Sequence, residues 1–145
     1  MLPKIIETVA KPSEKRTIIP LSERIAVDYL DALFRNDIQA IMSNYTNKSI
    51  FITLEKTYKG FHEIKEFMKE MIQFLSKKNT VLVLDKIALE NEIVYMVWHT
   101  ISTNSNILMA SDTFFIEDDK ISNHTFICQL DNSDNTINHS KKAIY

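Results

Sequence analysis

The stretch ASDTFFIEDDKISNHTFIC, residues 110–128, carries two groups able to move protons in otherwise apolar company. Asp112 stands near the head of one apolar run and His124 inside the next. Successive side chains of a strand point to opposite faces. Asp112 therefore shares a face with Phe114 and Ile116, and His124 shares one with Phe126 and Cys128. Apolar face-mates place both groups inward, and a carboxylate beside an imidazole in a cavity suits general acid–base work. The plainer alternative makes Asp112 a strand-end cap or a lysine partner, and His124 a satisfied core histidine. Tyr29 falls on the apolar face of the first predicted helix, where its hydroxyl can donate into the same space or stay wet above a packed ring. In SIFITLE (49–55), Phe51, Thr53 and Glu55 share a face, Glu55 being the weaker candidate base because it sits near the strand end. Trp98 and His99 are adjacent and must face opposite ways. The turn between 103 and 107 decides which of them joins Asp112. His62 and the EDDK run read as solvated.

Other chemistries find little support. There is no CxxC, no HExxH and no phosphate-cradling glycine loop, and the chain has one glycine, Gly60. No metal or cofactor is expected. The single cysteine, Cys128, excludes an internal disulfide and reads as a small buried apolar residue. Seventeen basic against nineteen acidic residues leave a net charge of −2, without the basic excess of a nucleic-acid binder. No apolar run approaches the roughly 18 residues of a membrane span, and the first residues lack a secretory apolar core, so a cytoplasmic protein is expected.

The 145 residues fit one domain. Residues 1–21, with Pro3, Pro12 and Pro20, read as an N-terminal extension, 22–130 as the folded domain and 131–145 as a polar tail. SERIAVDYLDALFRND opens on Ser22 as N-cap, and Ala26, Tyr29, Leu30 and Leu33 recur at helical spacing. DIQAIMSNY gives a short second helix with Ile38, Ile41, Met42 and Tyr45 on one side. SIFITLE is a strand and KTYKG a turn or short strand. FHEIKEFMKEMIQFLSKK is the clearest helix, its Phe and Met stripe being core rather than a cofactor box. Alternation then predicts four strands: TVLVLDKIALE, EIVYMVWHTIST, ILMASDTFFIE and ISNHTFICQL. Helices first and a strand meander after is an α+β arrangement, in which a long sheet curls around the helices and leaves a cavity between them.

Three pieces in order resemble the nuclear transport factor 2-like superfamily, in its ketosteroid isomerase and SnoaL-like polyketide cyclase branch. They are YLDALFRNDIQAIMSNYTNKSIFIT, YKGFHEIKEFM and SDTFFIEDDKISNHTF, the last with Asp119 where the family's turn has glycine. The resemblance implies a cone of three N-terminal helices on a curved, mixed, mostly antiparallel sheet. It also implies a pocket between helices and sheet, and often a homodimer through the sheet's outer face. Apolar residues on both faces of the strands suit that dimer. By likeness to ketosteroid isomerases, Tyr29 falls at the oxyanion tyrosine and Asp112 at the protonated aspartate. Thr53 falls at the general base, which a threonine hydroxyl cannot replace unaided. His124 falls where the family has an apolar pocket residue, and an imidazole there can act as replacement base or acid.

Three functions remain open. In one, a cofactor-independent isomerase, cyclase or dehydratase acts on a small hydrophobic carbonyl compound, with Asp112, His124 and Tyr29 catalytic and Thr53, Phe51, Trp98, His99, Phe114 and Phe126 lining the pocket. In another, a non-catalytic module binds an apolar ligand there. In the third, the sheet face dimerises or docks a partner above a vestigial pocket. An enzyme requires Asp112 and His124 to converge on an open pocket. An interaction protein should have it filled by Phe51, Phe67, Phe114 and Phe126.

Overall fold

The computed structural model of the chain describes residues 4–7, 19–75, 80–103 and 107–131, the first four by their backbone alone. Helix α1 spans Leu21–Phe34. Its N-cap is Pro20, with φ −54° and ψ 145° and no side-chain cap, so Ser22 lies in the first turn instead of capping it. Proline's ring presets the entry and its carbonyl accepts the first helical bond, from Arg24 N at 3.0 Å. Asn36, at φ 59°, ends the helix. Asp37 then caps α2, Ile38–Met42, by accepting from Ala40 N at 3.0 Å.

The run expected as one strand over 49–55 is shorter: β2 covers Ile50–Ile52, a turn follows, and β3 covers Thr57–Lys59. Gly60 opens α3, Gly60–Leu75, at φ 83°. A Cβ there would sit 3.0 Å from the Asn47 carbonyl oxygen, so both conformation and space demand glycine. The long strands are β4 (Val81–Glu90), β5 (Ile93–Ile101), β6 (Ile107–Glu117) and β7 (Lys120–Leu130). Asp118 and Asp119, at φ 50° and 61°, make the β6–β7 turn without the glycine such turns prefer.

The N-terminal extension contributes an edge strand, β1 (Lys4–Glu7), parallel to the first residues of β4. The sheet order is β1-β4-β5-β6-β7-β2-β3, with parallel pairing at β1–β4 and β2–β7 and antiparallel pairing elsewhere. The expected polar turn at 104–106 and the tail beyond 131 lie outside the described residues.

Three bulges set which side chains face the helices. They fall between Leu84 and Lys86, Ile107 and Met109, and Phe115 and Ile116. At the last, Ile116 pairs with Ile121 and Phe115 with Asn123, leaving Ser122 as the extra residue. Its hydroxyl donates to the Phe115 carbonyl at 3.0 Å. The extra residue reverses the alternation, so Ile121 and His124 both point inward. Leu30, Leu33 and Phe34 of α1 and Ile64 and Met68 of α3 bury against Met96 and Phe114 of the sheet. Each such side chain contributes about 1.5–3 kcal/mol by leaving water.

Candidate functional site

Trp98, Asp112, His124 and Tyr45 form one chain of hydrogen bonds inside the core. Asp112 and His124 are 0% exposed, and Asp112 Oδ1 lies 2.6 Å from His124 Nε2. Trp98 Nε1 donates to Asp112 Oδ2 at 2.7 Å. His124 Nδ1 lies 2.8 Å from the Tyr45 hydroxyl. The carboxylate can only accept, so the imidazole proton sits on Nε2 and Nδ1 accepts from Tyr45. Tyr29 packs edge-on against Tyr45, with ring centroids 6.4 Å apart, and its hydroxyl donates to Met68 Sδ at 3.7 Å. The Tyr45, His124 and Trp98 donors all run toward Asp112. Among the described residues no buried side-chain nitrogen or oxygen lacks a partner.

Burial pushes His124 below its ordinary range, and the hydrogen bond and charge of Asp112 only partly restore it. The 2.6 Å contact is therefore a hydrogen bond from a neutral ring, not an ion pair. Burial raises Tyr29 and Tyr45 well above the usual phenol range, so both remain donors. Partial burial, with the charge of Asp112 adding to it, pushes the Cys128 thiol up to about 12, so it is not a reactive thiolate.

These shifts carry a pH signature. The unfolded histidine takes a proton more readily than the folded one, so this contribution to stability is complete above about pH 6.5. It is lost as pH falls toward the depressed folded value, at up to about 1.4 kcal/mol per pH unit. Urea unfolding at about pH 7.5 and about pH 5 should show this fall. A stability that rises over that interval would contradict a neutral, buried His124.

Rings close around the network. His124 stacks on Phe114 with centroids 4.2 Å apart, and Phe51 lies 4.5 Å from it. Phe51 meets Phe67 at 4.7 Å, Phe67 meets Phe126 at 6.3 Å, and Phe126 stacks on Trp98 at 6.4 Å. The space between helices and sheet is thus occupied by side chains around the polar groups. Two surface clefts lie elsewhere. One of about 510 Å³ runs between Thr46–Lys48 and the β6–β7 turn, and one of about 210 Å³ lies between Met42 and Phe61. No network member lines either.

Of the residues singled out from sequence, Asp112, His124, Tyr29, Trp98, Phe51, Phe114 and Phe126 come together. Thr53 does not join them: it lies in the turn after β2, and its hydroxyl donates to the Lys56 carbonyl at 3.0 Å. Glu55 is exposed in that turn. His99 is a correction as a pocket residue, because β5 turns Trp98 inward and His99 outward, onto Asp85 at 2.6 Å. Sequence reasoning missed Tyr45, which it placed among the apolar residues of α2. It lies past the helix end and is buried. A tyrosine among apolar neighbours was the available signal, since a buried hydroxyl needs a partner.

Neither the known protein-family models nor the curated proteins contain a match to this chain. Solved structures do match. A protein described as NTF2-like and of unknown function from Cytophaga hutchinsonii aligns with a TM-score of 0.62 and 16% identity, covering 79% of this chain and 95% of that one. A chain from Shewanella putrefaciens described as a SnoaL-like polyketide cyclase aligns at 0.62 and 18%, covering 77% and 81%. One from Kribbella flavida described as a ketosteroid isomerase aligns at 0.63 and 10%, covering 75% and 78%. With helices on a curved mixed sheet and these neighbours, the chain has the nuclear transport factor 2-like fold, shared with SnoaL-like and ketosteroid isomerase-like proteins.

Proposed function

We propose that the chain is a non-catalytic SnoaL-like module that works as a homodimer through the outer face of its sheet. One observation carries this reading: the central outward positions of β5–β7 are uncharged, and exposed large apolar side chains stand among small polar ones. From Ile93 to Val97, from Met109 to Phe115 and from Asn123 to Gln129, no outward side chain carries a charge, although a quarter of the chain is charged. Ile93, Tyr95, Met109, Phe115 and Ile127 stand exposed there. A large exposed apolar patch marks an interaction surface. Its lack of charge points to a second copy, because a two-fold interface sets each residue near the axis against its own image. The filled interior supports the same reading. In it, the buried network fixes one arrangement of the core rather than turning over a substrate. Sedimentation velocity at micromolar concentration tests this: a dimer is expected, and a monomer throughout would sink the proposal.

A second reading rests on a different observation, the convergence of the Tyr45 hydroxyl on the His124–Asp112 pair, with the Tyr29 ring 5.2 Å from His124. Those groups suit acid–base chemistry on a small hydrophobic carbonyl compound, once a ring moves to admit it. Deuterium uptake beside the carbonyl of a small cyclic ketone, followed by NMR, tests it. Uptake above the buffer rate that vanishes in Asp112→Asn favours this reading, and no excess uptake removes it.

A further inference from the structure

One titratable pair lies outside the core network. Asp85 is the extra residue of the β4 bulge, which turns it to the outer face. Its Oδ2 lies 2.6 Å from His99 Nδ1, and the two side chains are 38% and 32% exposed. Their surroundings are apolar. Ile101 follows two residues along the same face, Val83 is His99's cross-strand partner, and Met109 stands exposed on the adjoining β6. Asp85 fixes the ring with the Nδ1 proton toward itself, leaving Nε2 as the site of proton uptake.

We propose that protonation of His99 against Asp85 tightens the dimer; this rests on the outer-face reading above. When two copies meet, the pair loses water. With a neutral imidazole, each copy carries an uncompensated Asp85 carboxylate into an apolar interface. With a protonated imidazole, the pair is net neutral and its hydrogen bond is charge-assisted. Burial therefore favours the protonated pair. The other charged groups on this face of β4 are Lys86 and Glu90, of opposite sign, whose cross-strand partners are Val97 and Ile93. On β6 and β7 the outward charges are Glu117 and Lys120, paired with each other at the far end of the strands, and the helices cover the opposite face. Among the described residues, His99 is thus the histidine on this surface.

Sedimentation equilibrium of the full chain between about pH 8 and about pH 6 tests this, with His99→Gln and Asp85→Asn alongside, each checked for folding by thermal melting. The dissociation constant should fall as pH falls, by at most about tenfold per pH unit for each proton gained on association. Both variants should flatten that dependence. A wild-type dimer of constant affinity over this range overturns the proposal, as does a pH dependence that survives His99→Gln. A monomer at every pH overturns the dimer reading and this proposal together, which separates the two failures.

Discussion

Tyr95→Glu is expected to sediment as a monomer at concentrations where the parent chain is a dimer. Tyr95 sits in the middle of the uncharged stretch of β5–β7, opposite Thr113 of β6 and Ala88 of β4. A carboxylate there would lose water and meet its own image across a two-fold axis. Like charges brought together at an interface cost several kcal/mol, and truncating a central aromatic anchor adds about 2 kcal/mol. A loss of at least about a hundredfold in affinity follows, roughly 3 kcal/mol. Folding should be little affected, because Tyr95 is 37% exposed and contributes to the sheet surface rather than the core. Tyr95→Thr, which keeps strand propensity without adding charge, should weaken association less. A Tyr95→Glu chain that dimerises as tightly as its parent would put the interface elsewhere.

The second large effect belongs to the buried network. His124→Leu should destabilise the fold by about 3–5 kcal/mol, because it leaves a buried carboxylate with one donor fewer and strips Tyr45 of its acceptor. Asp112→Leu combined with His124→Leu should then recover much of that loss. The double change removes the charge along with its partner, and well-packed apolar replacements for buried polar groups are often neutral or better. The double variant is thus expected to be more stable than His124→Leu alone, an interaction that chemical denaturation measures directly. Additive costs would mean that each group is held by contacts other than the other. The same variants separate the two functional readings. A structural network predicts that the double variant dimerises normally, whereas an acid–base site predicts that its deuterium exchange is abolished however stable it is.

Much of the fold was legible because its signals are local. The stripe of Ile64, Phe67, Met68 and Met71 defines α3, and alternation defines β4 to β7. The inward direction of Asp112 and His124 followed from their apolar face-mates. The facing of Trp98 and His99 did not, since register between strands depends on bulges and turn lengths that no local pattern encodes. Tyr45 escaped for a related reason. Its partner, His124, is distant in sequence and is brought to it only when β2 lies parallel beside β7. The filling of the interior was the least legible feature. The same phenylalanines that line a pocket also close it when they touch, and their distances are a property of the packed tertiary structure rather than of any segment. Ser22 misled because a capping side chain is only one way to start a helix, and Pro20 supplies another.

The four residues of β1 matter beyond their length. Its ladder covers Val81, Leu82, Val83 and Leu84, the most apolar stretch at that edge of the sheet. Without it, β4 would offer unsatisfied amides and carbonyls along an uncharged, apolar template, the arrangement from which fibrillar aggregation grows. Farther along β4 the Asp85 bulge and Lys86 disturb any such template. Shortening the N-terminus by seven residues would therefore leave the helices and the network in place while baring an edge prone to self-association.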